Sequence, residues 1–512
     1  MRFIYDERRK LYLYETAAPI LNIPEESIVG PFRVIPATLA NTVALAKLGY
    51  PIRDPLLDYD FPGNYRSITP QQNTTRFMVL NPRCFVLNDM RTGKTVSTMH
   101  ATDFIMRDYA ARGIDARTLI LSTKSTLYDP WLKHVNRTFN GAGASRPRTA
   151  RMLTGPGNRR FTEFRKPADY YIGNYDALRL IASNELPPYI KIVVIDEFTA
   201  YKHATTRRFK QAENCFRGVE HLIILSGTPV PERSVDAYGP AKLVHGLSGE
   251  SFDSFRNRCM YRQGSFRWIE RANAKDIAAA ALQPAIRYSR EEVIGLPDKL
   301  PLREIKVHLS TEQNTVVEAL KNKALHELEG KVITAINAAA YRSKFLQAYQ
   351  GAIYDDNKRA YNLNPTERIK ALKELLDECN GRAIVFSGFT CVVSLLRAAL
   401  ADYNPRYITG AVSAKQRLHI MDDFNSGRCG PIIGDPGTMG HGLDLTGGNT
   451  IIWYGPVDRN EHYQQANERI EGLNQKLPTQ IIHLYTSKLE KSLYHRLREK
   501  QDMQMSILEL VT

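Results

Sequence analysis

The sequence predicts an α/β protein with two parallel-sheet lobes, separated by helical material and preceded by a small α+β module. Short apolar strands alternate with helical stretches from about residue 67 to 235, and the same alternation returns after residue 366. Such alternation is typical of a parallel sheet with helices on both faces. Residues 236–365 instead carry few strand patterns and several helical stretches, so two lobes fit better than one large sheet.

Residues 1–66 form the predicted α+β module. Segments 3–5 and 11–14 flank a charged turn and predict a hairpin, and apolar residues at helical spacing follow between 39 and 46. Turn-forming residues at 59–64 indicate the end of the module.

The remaining boundaries follow the changes of pattern along the chain. We expect a first lobe at 67–290 with a helical extension at 236–290, a linker and helical insertion at 291–365, a second lobe at 366–488 and a C-terminal helix at 489–512. The predicted strands are 84–87, 118–121, 170–172, 191–195 and 222–225 in the first lobe, and 383–386, 407–409, 431–433, 450–454 and 480–484 in the second. Helices are predicted at 276–281, 311–330 and 331–350.

The composition is that of a globular protein with an excess of basic residues. The 512 residues include 69 Lys and Arg against 54 Asp and Glu, a formal charge of +15 that favours a polyanionic partner. The six cysteines are scattered, which predicts neither a disulfide framework nor a zinc site and suits a reducing cytosol. No run approaches 18 apolar residues and the N-terminus has no apolar signal core, so we expect no membrane association and a cytoplasmic location. The sequence does not determine the oligomeric state, and a monomer is the favoured expectation.

A phosphate-binding loop is the most informative local pattern. The apolar strand 85–87 runs directly into Asn88 and then into Gly93, Lys94 and Thr95. Such a loop turns backbone N–H groups toward phosphates, while an ammonium reaches the β/γ oxygens and a hydroxyl holds Mg²⁺. Asn88 stands where the usual pattern has its first glycine, and a surface turn that starts a helix is the alternative reading of this segment alone.

A pair of carboxylates supports the phosphate-loop interpretation. The apolar strand 191–195 ends in Asp196 and Glu197. A buried parallel strand with two carboxylates at its C-terminal end places a Mg²⁺ partner beside a water-orienting base. The two patterns together predict binding and hydrolysis of a nucleoside triphosphate.

Further motifs follow in a fixed order along both lobes. They are TPQQ at 69–72, TK at 123–124, NY at 174–175, DEFT at 196–199, LSGTP at 225–229, VFSGF at 385–389, GTMGHGLDLT at 437–446 and QANERIEGLNQ at 465–475.

This ordered set resembles the superfamily-two helicases, specifically the Swi/Snf-like branch of ATP-driven double-stranded DNA translocases, in a compact form like those carried by bacteriophages. The resemblance covers about 67–500. It implies two RecA-like lobes of a P-loop NTPase that couple ATP hydrolysis between them to movement along, or remodelling of, double-stranded or branched DNA.

The resemblance also implies roles for individual residues. Lys94 would neutralise the β/γ-phosphates, Thr95 and Asp196 would hold Mg²⁺, and Glu197, beside the metal, would deprotonate the attacking water. Arg469 would reach the γ-phosphate and stabilise charge in the transition state. Further ATP contacts are expected from Gln72, Met90, Arg91, Thr92, Gly93, Gly442 and Asp444, nucleic-acid contacts from Thr123, Lys124, Asn174, Ser387, Gly388 and Thr438, and coupling of hydrolysis to lobe movement from Ser226, Thr228 and Gln465.

One position departs from the family pattern. The family carries a second arginine three residues after Arg469, and this chain has Gly472. This departure leaves a second hypothesis, a nucleotide-gated nucleic-acid-binding protein with weak turnover. An RNA helicase is a third hypothesis, because the motifs are shared with RNA-dependent relatives.

Three basic clusters contain interleaved aromatic residues. They occupy 159–166, 207–210 and 256–267. Basic side chains with aromatic neighbours suit a duplex track, and an ordinary solvated surface fits the same pattern.

Overall fold

The structure is a computed structural model, and the chain divides into two compact units. The first unit comprises Met1–Val230, Ser234–Ser289 and Ser506–Thr512, and the second comprises Pro231–Arg233 and Arg290–Met505. The described residues are 2–16, 20, 23, 26–63, 67–124, 126–141, 147–180, 186–264, 267–293, 297–330, 335–355, 357–439, 444–471 and 475–511.

The N-terminal module is a four-stranded antiparallel sheet followed by a helix. The elements are β1 (Phe3–Asp6), β2 (Leu11–Glu15), β3 (Ser27–Val29), β4 (Phe32–Pro36) and α1 (Leu39–Lys47). The strand order is β1-β2-β4-β3, and the centre of the core is formed by Tyr12, Tyr14, Ile35 and Leu45. The Thr38 side chain accepts a hydrogen bond from the Asn41 backbone N–H and so begins the helix. The predicted hairpin and helix are confirmed.

The first lobe follows as alternating strands and helices. A π-helical segment, Leu127–Leu132, leads into α4, and 3₁₀ turns follow β8 and β9. The elements are α2 (Thr69–Leu80), β5 (Arg83–Val86), α3 (Lys94–Ala111), β6 (Arg117–Ser122), α4 (Lys133–Phe139), β7 (Ala150–Leu153), α5 (Gly157–Arg165), β8 (Tyr170–Asn174), β9 (Ile190–Asp196), α6 (Arg207–Phe216) and β10 (His221–Leu225). The helical extension adds α7 (Tyr238–His245), α8 (Phe252–Cys259), β11 (Met260–Gln263), β12 (Arg267–Glu270), α9 (Ala274–Ala281) and β13 (Ala285–Ile286).

The first large sheet is parallel throughout and has seven strands in the order β13-β5-β10-β9-β6-β8-β7. All five predicted strands of this lobe are confirmed. The prediction missed β7 and β13, because both lie at the sheet's edges, where little or no apolar run is needed. The parallel arrangement brings the carboxyl ends of β5, β6, β8, β9 and β10 to one edge of the sheet.

The second unit repeats this architecture. The remaining elements of the chain are α10 (Arg290–Val293), β14 (Arg303–Lys306), α11 (Thr311–Gly330), α12 (Ala335–Gln350), β15 (Ala352–Tyr354), β16 (Ala360–Asn362), α13 (Thr366–Glu378), β17 (Ala383–Phe386), α14 (Thr390–Ala399), β18 (Arg406–Ile408), α15 (Ala414–Asn425), β19 (Ile432–Gly434), α16 (Pro436–Met439), β20 (Thr450–Trp453), α17 (Asn460–Asn467), β21 (Gln480–Tyr485) and α18 (Lys488–Val511). The second large sheet has six parallel strands in the order β14-β21-β20-β17-β19-β18. Short 3₁₀ turns cover Tyr175–Leu180, Phe198–Tyr201, Ser234–Ala237, Gly246–Gly249, Ala401–Tyr403 and Glu468–Ile470.

The second sheet confirms all five strands predicted for it and corrects the reading of the segment before it. The prediction of few strands between 236 and 365 is wrong in detail, since this segment holds two small antiparallel ribbons, β11–β12 and β15–β16, and the edge strands β13 and β14. Strand β14 has the sequence Arg-Glu-Ile-Lys, and its charged residues suit an edge position rather than a buried one. Across the described residues, no helix combines the length and apolar character that a membrane crossing requires.

Candidate active site

The phosphate loop follows β5 and ends at the first turn of α3. Gly93 adopts a left-handed conformation, φ 91°, and a Cβ there would lie 2.2 Å from the amide nitrogen of Gln71. Only glycine fits this position. Arg91 is also left-handed, φ 67°, which is uncommon for a residue with a side chain.

Lys94 lies over this loop. Its Nζ donates to the backbone carbonyls of Asn88 at 2.6 Å and Asp89 at 2.9 Å. Thr95 is in the first turn of α3, and its hydroxyl has no hydrogen-bond partner among the residues that the structure describes. The ammonium and the hydroxyl therefore stand at the N-terminus of a helix of 18 residues, which favours anions.

Two side chains that the sequence analysis did not assign hold the loop in place. Asn88 donates from Nδ2 to Thr74 Oγ1 at 2.9 Å and accepts from the Tyr288 backbone N–H at 3.0 Å. Gln71 donates to the carbonyl of Thr92 at 3.1 Å. The asparagine in the place of the first glycine thus ties the loop both to α2 and to the segment after β13.

The glutamine predicted to contact the nucleotide lies beside this support. Gln72 is half-buried and donates from Nε2 to the Ser67 carbonyl at 3.0 Å, at the start of α2. Its neighbour Gln71, not Gln72, contacts the phosphate loop. The sequence offers both glutamines at adjacent positions and no periodicity that separates them.

Asp196 ends β9 in a pocket of hydrogen-bond donors. Its Oδ2 accepts from Trp131 Nε1 at 2.7 Å and from Ser122 Oγ at 2.8 Å. Burial raises the pKa of this carboxyl, while the two hydrogen bonds and the nearby Lys94 charge oppose that rise. Trp131 comes from the π-helical segment, so this partner could not be inferred from spacing.

Glu197 is held by the hydroxyls of the next strand end. Its Oε1 accepts from Ser226 Oγ at 2.9 Å and from Thr228 Oγ1 at 3.3 Å. The residue is left-handed, φ 58°, and Tyr175 Oη lies 2.6 Å from the carbonyl oxygens of both Asp196 and Glu197, either of which can accept its single proton. The predicted coupling residues and the predicted base are therefore in direct contact.

The loop after β10 also packs against the phosphate loop. A Cβ added at Gly227 would lie 3.2 Å from Met90 Cγ and 3.8 Å from Lys94 Nζ. The ends of β5, β9 and β10 thus bring the ammonium and the two carboxylates into one site within the first unit.

The predicted nucleic-acid residues of the first unit lie at other strand ends. Thr123 follows β6, and its hydroxyl contacts Thr126 Oγ1 at 3.0 Å. Lys124 is exposed, and Asn174 ends β8 in a half-buried position. All three lie at the same sheet edge as the phosphate loop.

In the second unit, Gln465 and Arg469 lie one helical turn apart at the end of α17. Arg469 is buried and donates from Nε to the Gln465 carbonyl at 2.9 Å. Both side-chain amide atoms of Gln465 are buried and have no hydrogen-bond partner in the described part of the chain. Such unsatisfied groups carry a desolvation cost and mark a place where a polar ligand would be accommodated.

The other predicted residues of the second unit are partly engaged with the protein itself. Ser387 is buried and donates to Gln350 Oε1 at 2.9 Å, whereas Gly388 is exposed. The Thr438 N–H and hydroxyl both donate to Asp435 Oδ2 at 2.8 Å. Asp444 Oδ1 accepts from the Thr446 N–H at 3.3 Å. Gly442 and Gly472, which the sequence analysis assigned, lie outside the described residues.

The first-unit site has the donor set that Mg²⁺ and a nucleoside triphosphate require. Mg²⁺ is usually held by one or two oxygen side chains, substrate phosphates and water, and Thr95 and Asp196 supply such oxygens. No group of three or more His, Cys, Asp or Glu side chains suited to a metal ion occurs among the described residues. The glycine at 93 and the ammonium of Lys94 suit the phosphates.

Comparison with known proteins gives the same two-part pattern. Residues 71–349 match the SNF2-related domain, and residues 367–471 match the helicase conserved C-terminal domain. The putative protein p41 of Acyrthosiphon pisum secondary endosymbiont phage 1 is 26% identical over 343 residues, which cover 62% of this chain and 72% of p41. A probable global transactivator of Orgyia pseudotsugata multicapsid polyhedrosis virus is 21% identical over 466 residues, covering 83% of this chain and 86% of that protein.

Two more distant similarities extend over most of the chain. A DNA repair and recombination protein RAD54-like of Drosophila erecta is 20% identical over 484 residues, covering 83% of this chain but 60% of the relative. The Sulfolobus solfataricus SWI2/SNF2 ATPase core, solved in complex with dsDNA, is 18% identical with a TM-score of 0.40, covering 88% of this chain and 95% of that one. Because the SNF2-related match alone spans more than half of the chain, this protein belongs to the SNF2-related family of helicase-type ATPases.

Proposed function

We propose that this enzyme hydrolyses Mg²⁺·ATP in a reaction stimulated by duplex DNA and uses the energy to move along or remodel that DNA. The observation that carries the proposal is the contact of the Ser226 and Thr228 hydroxyls with Glu197, in a loop packed against Lys94. This arrangement links the water-activating position to the phosphate position and to a strand-end loop that can respond to both.

The residues of the first unit divide the work on the nucleotide. Lys94 neutralises β/γ-phosphate charge, and the N–H groups of Met90, Arg91, Thr92 and Gly93 receive the phosphates. When bound, Mg²⁺ supplies charge neutralisation at the phosphates, with Thr95 and Asp196 as its protein partners. Asp196 must be ionised for that role, and its two hydrogen-bond donors favour the ionised form despite burial.

Glu197 serves as the base that orients and deprotonates water. The Ser226 and Thr228 hydroxyls hold Oε1 of this carboxylate in place, and this contact orients the carboxylate that accepts the proton from water. Gln72 remains our assignment for the adenine edge.

Arg469 and Gln465 of the second unit act on the same nucleotide in this proposal. The unsatisfied amide of Gln465 offers a donor and an acceptor to phosphate or water. Arg469 supplies positive charge to the γ-phosphate in the transition state. We assign Asp444 and Gly442 to the nucleotide as well.

Duplex DNA is the proposed partner. The net charge of +15 suits a polyanion, one relative carries a DNA repair name, and the archaeal structure contains dsDNA. We place phosphate contacts at Thr123, Lys124, Asn174, Gly388 and Thr438, through hydroxyls, an ammonium and backbone N–H groups. We place a further phosphate contact at Ser387, either through its backbone N–H or through its hydroxyl once the hydrogen bond to Gln350 is broken.

The wider organisation is proposed on the same basis. We propose that the chain works as a monomer with the domain boundaries given above, and, from the phage relative, that it acts in the cytoplasm of a bacterial host.

The test is the rate of ATP hydrolysis with no nucleic acid, duplex DNA, single-stranded DNA and RNA, at equal nucleotide concentration. We expect duplex DNA to stimulate turnover most. Preferential stimulation of turnover by RNA would support the RNA-helicase hypothesis. Binding of nucleotide and nucleic acid without turnover would support a nucleotide-gated nucleic-acid-binding protein. Either result would refute the proposal.

A further inference from the structure

A small two-stranded ribbon in the first unit stands apart from the large sheet. We call β11–β12 the basic ribbon. Its register pairs Tyr261 with Ile269, Arg262 with Trp268 and Gln263 with Arg267. The far end is anchored, because Met260 is buried and Glu270 accepts hydrogen bonds from the N–H and hydroxyl of Ser234 at 2.8 and 3.1 Å.

The arginines around this ribbon fall into two groups. Arg256 pairs with Asp253 at 2.7 Å and stacks over the Trp268 ring at 4.2 Å, and Arg258 pairs with Glu250 at 2.9 Å. These two arginines stabilise the base of the ribbon.

Arg262 and Arg267 differ from that first group by position. Both lie on the exposed outer part of the ribbon, next to the exposed Gln263. The single acidic residue of the two strands, Glu270, is at the anchored end and is engaged by Ser234. The outer part of the ribbon therefore presents two exposed guanidinium groups to solvent.

The shape of the ribbon suits a nucleic-acid groove. Four residues per strand at about 3.4 Å each give a length of about 14 Å. Two strands about 4.8 Å apart fit the major groove, which is about 12 Å wide and admits a two-stranded ribbon. Tyr261 is 42% exposed and adds an aromatic surface near the basic tip.

We propose that the basic ribbon is a second duplex-DNA contact, separate from the strand-end motifs, in which Arg262 and Arg267 bind backbone phosphates along a groove. The inference rests on the proposed function and adds to it, since it requires a duplex long enough to reach both the strand ends and the ribbon. Charge complementarity with the phosphates selects this partner over an apolar one.

The test compares full-length wild-type protein with R262E/R267E. A control variant, K358E/R359E, makes the same charge change in the turn of the other two-stranded ribbon, β15–β16, where both residues are exposed. The conservative variant R262K/R267K keeps the charge. Duplex affinity is measured by fluorescence anisotropy on a random-sequence 40-mer between 50 and 300 mM salt, with DNA-free ATPase and thermal unfolding as checks of the fold.

Two lost phosphate contacts have a calculable effect. Each contact contributes a salt slope of about 0.9, so the slope should fall by about 1.8 and affinity at 0.1 M salt by roughly 60-fold. We expect this loss in R262E/R267E, near wild-type affinity in the lysine variant and in K358E/R359E, and unchanged DNA-free turnover.

Two outcomes would overturn the inference: unchanged duplex affinity and salt slope in R262E/R267E, or an equal loss of duplex affinity in K358E/R359E. Failure of the proposed function itself gives a different result, because wild-type protein would then show no duplex-stimulated hydrolysis.

Discussion

Replacing Trp131 by Phe removes one of the two hydrogen bonds on Asp196 while keeping an aromatic ring in the core. The indole Nε1 lies 2.7 Å from Asp196 Oδ2, and Ser122 Oγ provides the other bond at 2.8 Å. Burial already raises the pKa of this carboxyl, and the indole N–H opposes that rise. Its removal should therefore raise the pKa of Asp196 further.

The size of the effect follows from the hydrogen bond. A bond to a charged group contributes about 1.5–3 kcal/mol, so the loss of the indole N–H should weaken the ionised form of Asp196 by about that free energy and raise the pKa of this carboxyl. Because Mg²⁺ needs the ionised carboxylate, the acid limb of ATP hydrolysis should move to higher pH. The Mg²⁺ concentration for half-maximal activity at pH 7 should rise, and higher pH should restore it.

The assay is DNA-stimulated ATP hydrolysis as a function of pH and Mg²⁺. Trp453→Phe is a matched control, since its indole donates to Asn467 Oδ1 at 2.8 Å in the second unit, and it should leave the acid limb in place. A Trp131→Phe protein with reduced activity but an unmoved acid limb would refute the reasoning, because the indole would then only position the chain.

Other substitutions separate binding from chemistry and test the second unit. Lys94→Ala should weaken ATP binding through lost phosphate neutralisation, whereas Glu197→Gln should keep ATP bound and lose turnover; equal nucleotide affinity in equilibrium titrations would contradict both roles. Arg469→Ala should lower turnover by about 10³–10⁵ with ATP still bound, and near-normal steady-state rates would show that the finger is misplaced. Burial lowers the pKa of His483 to about 3, so the folded protein holds this imidazole neutral while the unfolded chain protonates it below about pH 6.5. The free energy of unfolding should therefore fall as the pH drops from 6.5 toward 3, by about 2 kcal/mol between pH 7 and 5. His483→Gln should therefore lose less stability over that pH interval, which chemical denaturation followed by tryptophan fluorescence would measure. An unchanged pH dependence of stability would exclude His483 as its source.

The two large sheets could be predicted because their central strands are apolar and alternate with helices along the sequence. Segments such as 192–195 and 383–386 are buried on both faces, so their sequences are continuous apolar runs. The edge strands β13 and β14 were not predicted for the converse reason: the first has two residues, and the second has three charged residues and a single isoleucine. Short or solvent-facing strands gain their stability from pairing and not from their own composition.

The convergence of Lys94, Asp196 and Glu197 could be predicted from the sequence, but the side chains that support them could not. Asp196 and Glu197 lie at the end of β9, and Lys94 ends the loop that follows β5, so parallel topology alone brings them to one edge of the sheet. Asn88 and Trp131 act through partners far away in sequence: Asn88 contacts Tyr288, 200 residues later, and Trp131 contacts Asp196, 65 residues later. Local patterns carry no information about such pairings, which arise only when packing brings the segments together.

The backbone of Glu197 has an unfavourable conformation that fixes the position of its side chain. A left-handed φ of 58° at a glutamate costs about 1–3 kcal/mol and persists only where surrounding contacts determine it. Here those contacts are the Tyr175 hydroxyl on two carbonyls and the Ser226 and Thr228 hydroxyls on the carboxylate. Because the Ser226–Thr228 loop also packs against Met90 and lies near Lys94, a displacement of the phosphate loop cannot leave the Glu197 carboxylate unaffected. Under the proposed function, the orientation of the Glu197 carboxylate therefore depends on what the phosphate loop holds, through the Ser226–Thr228 loop that contacts both.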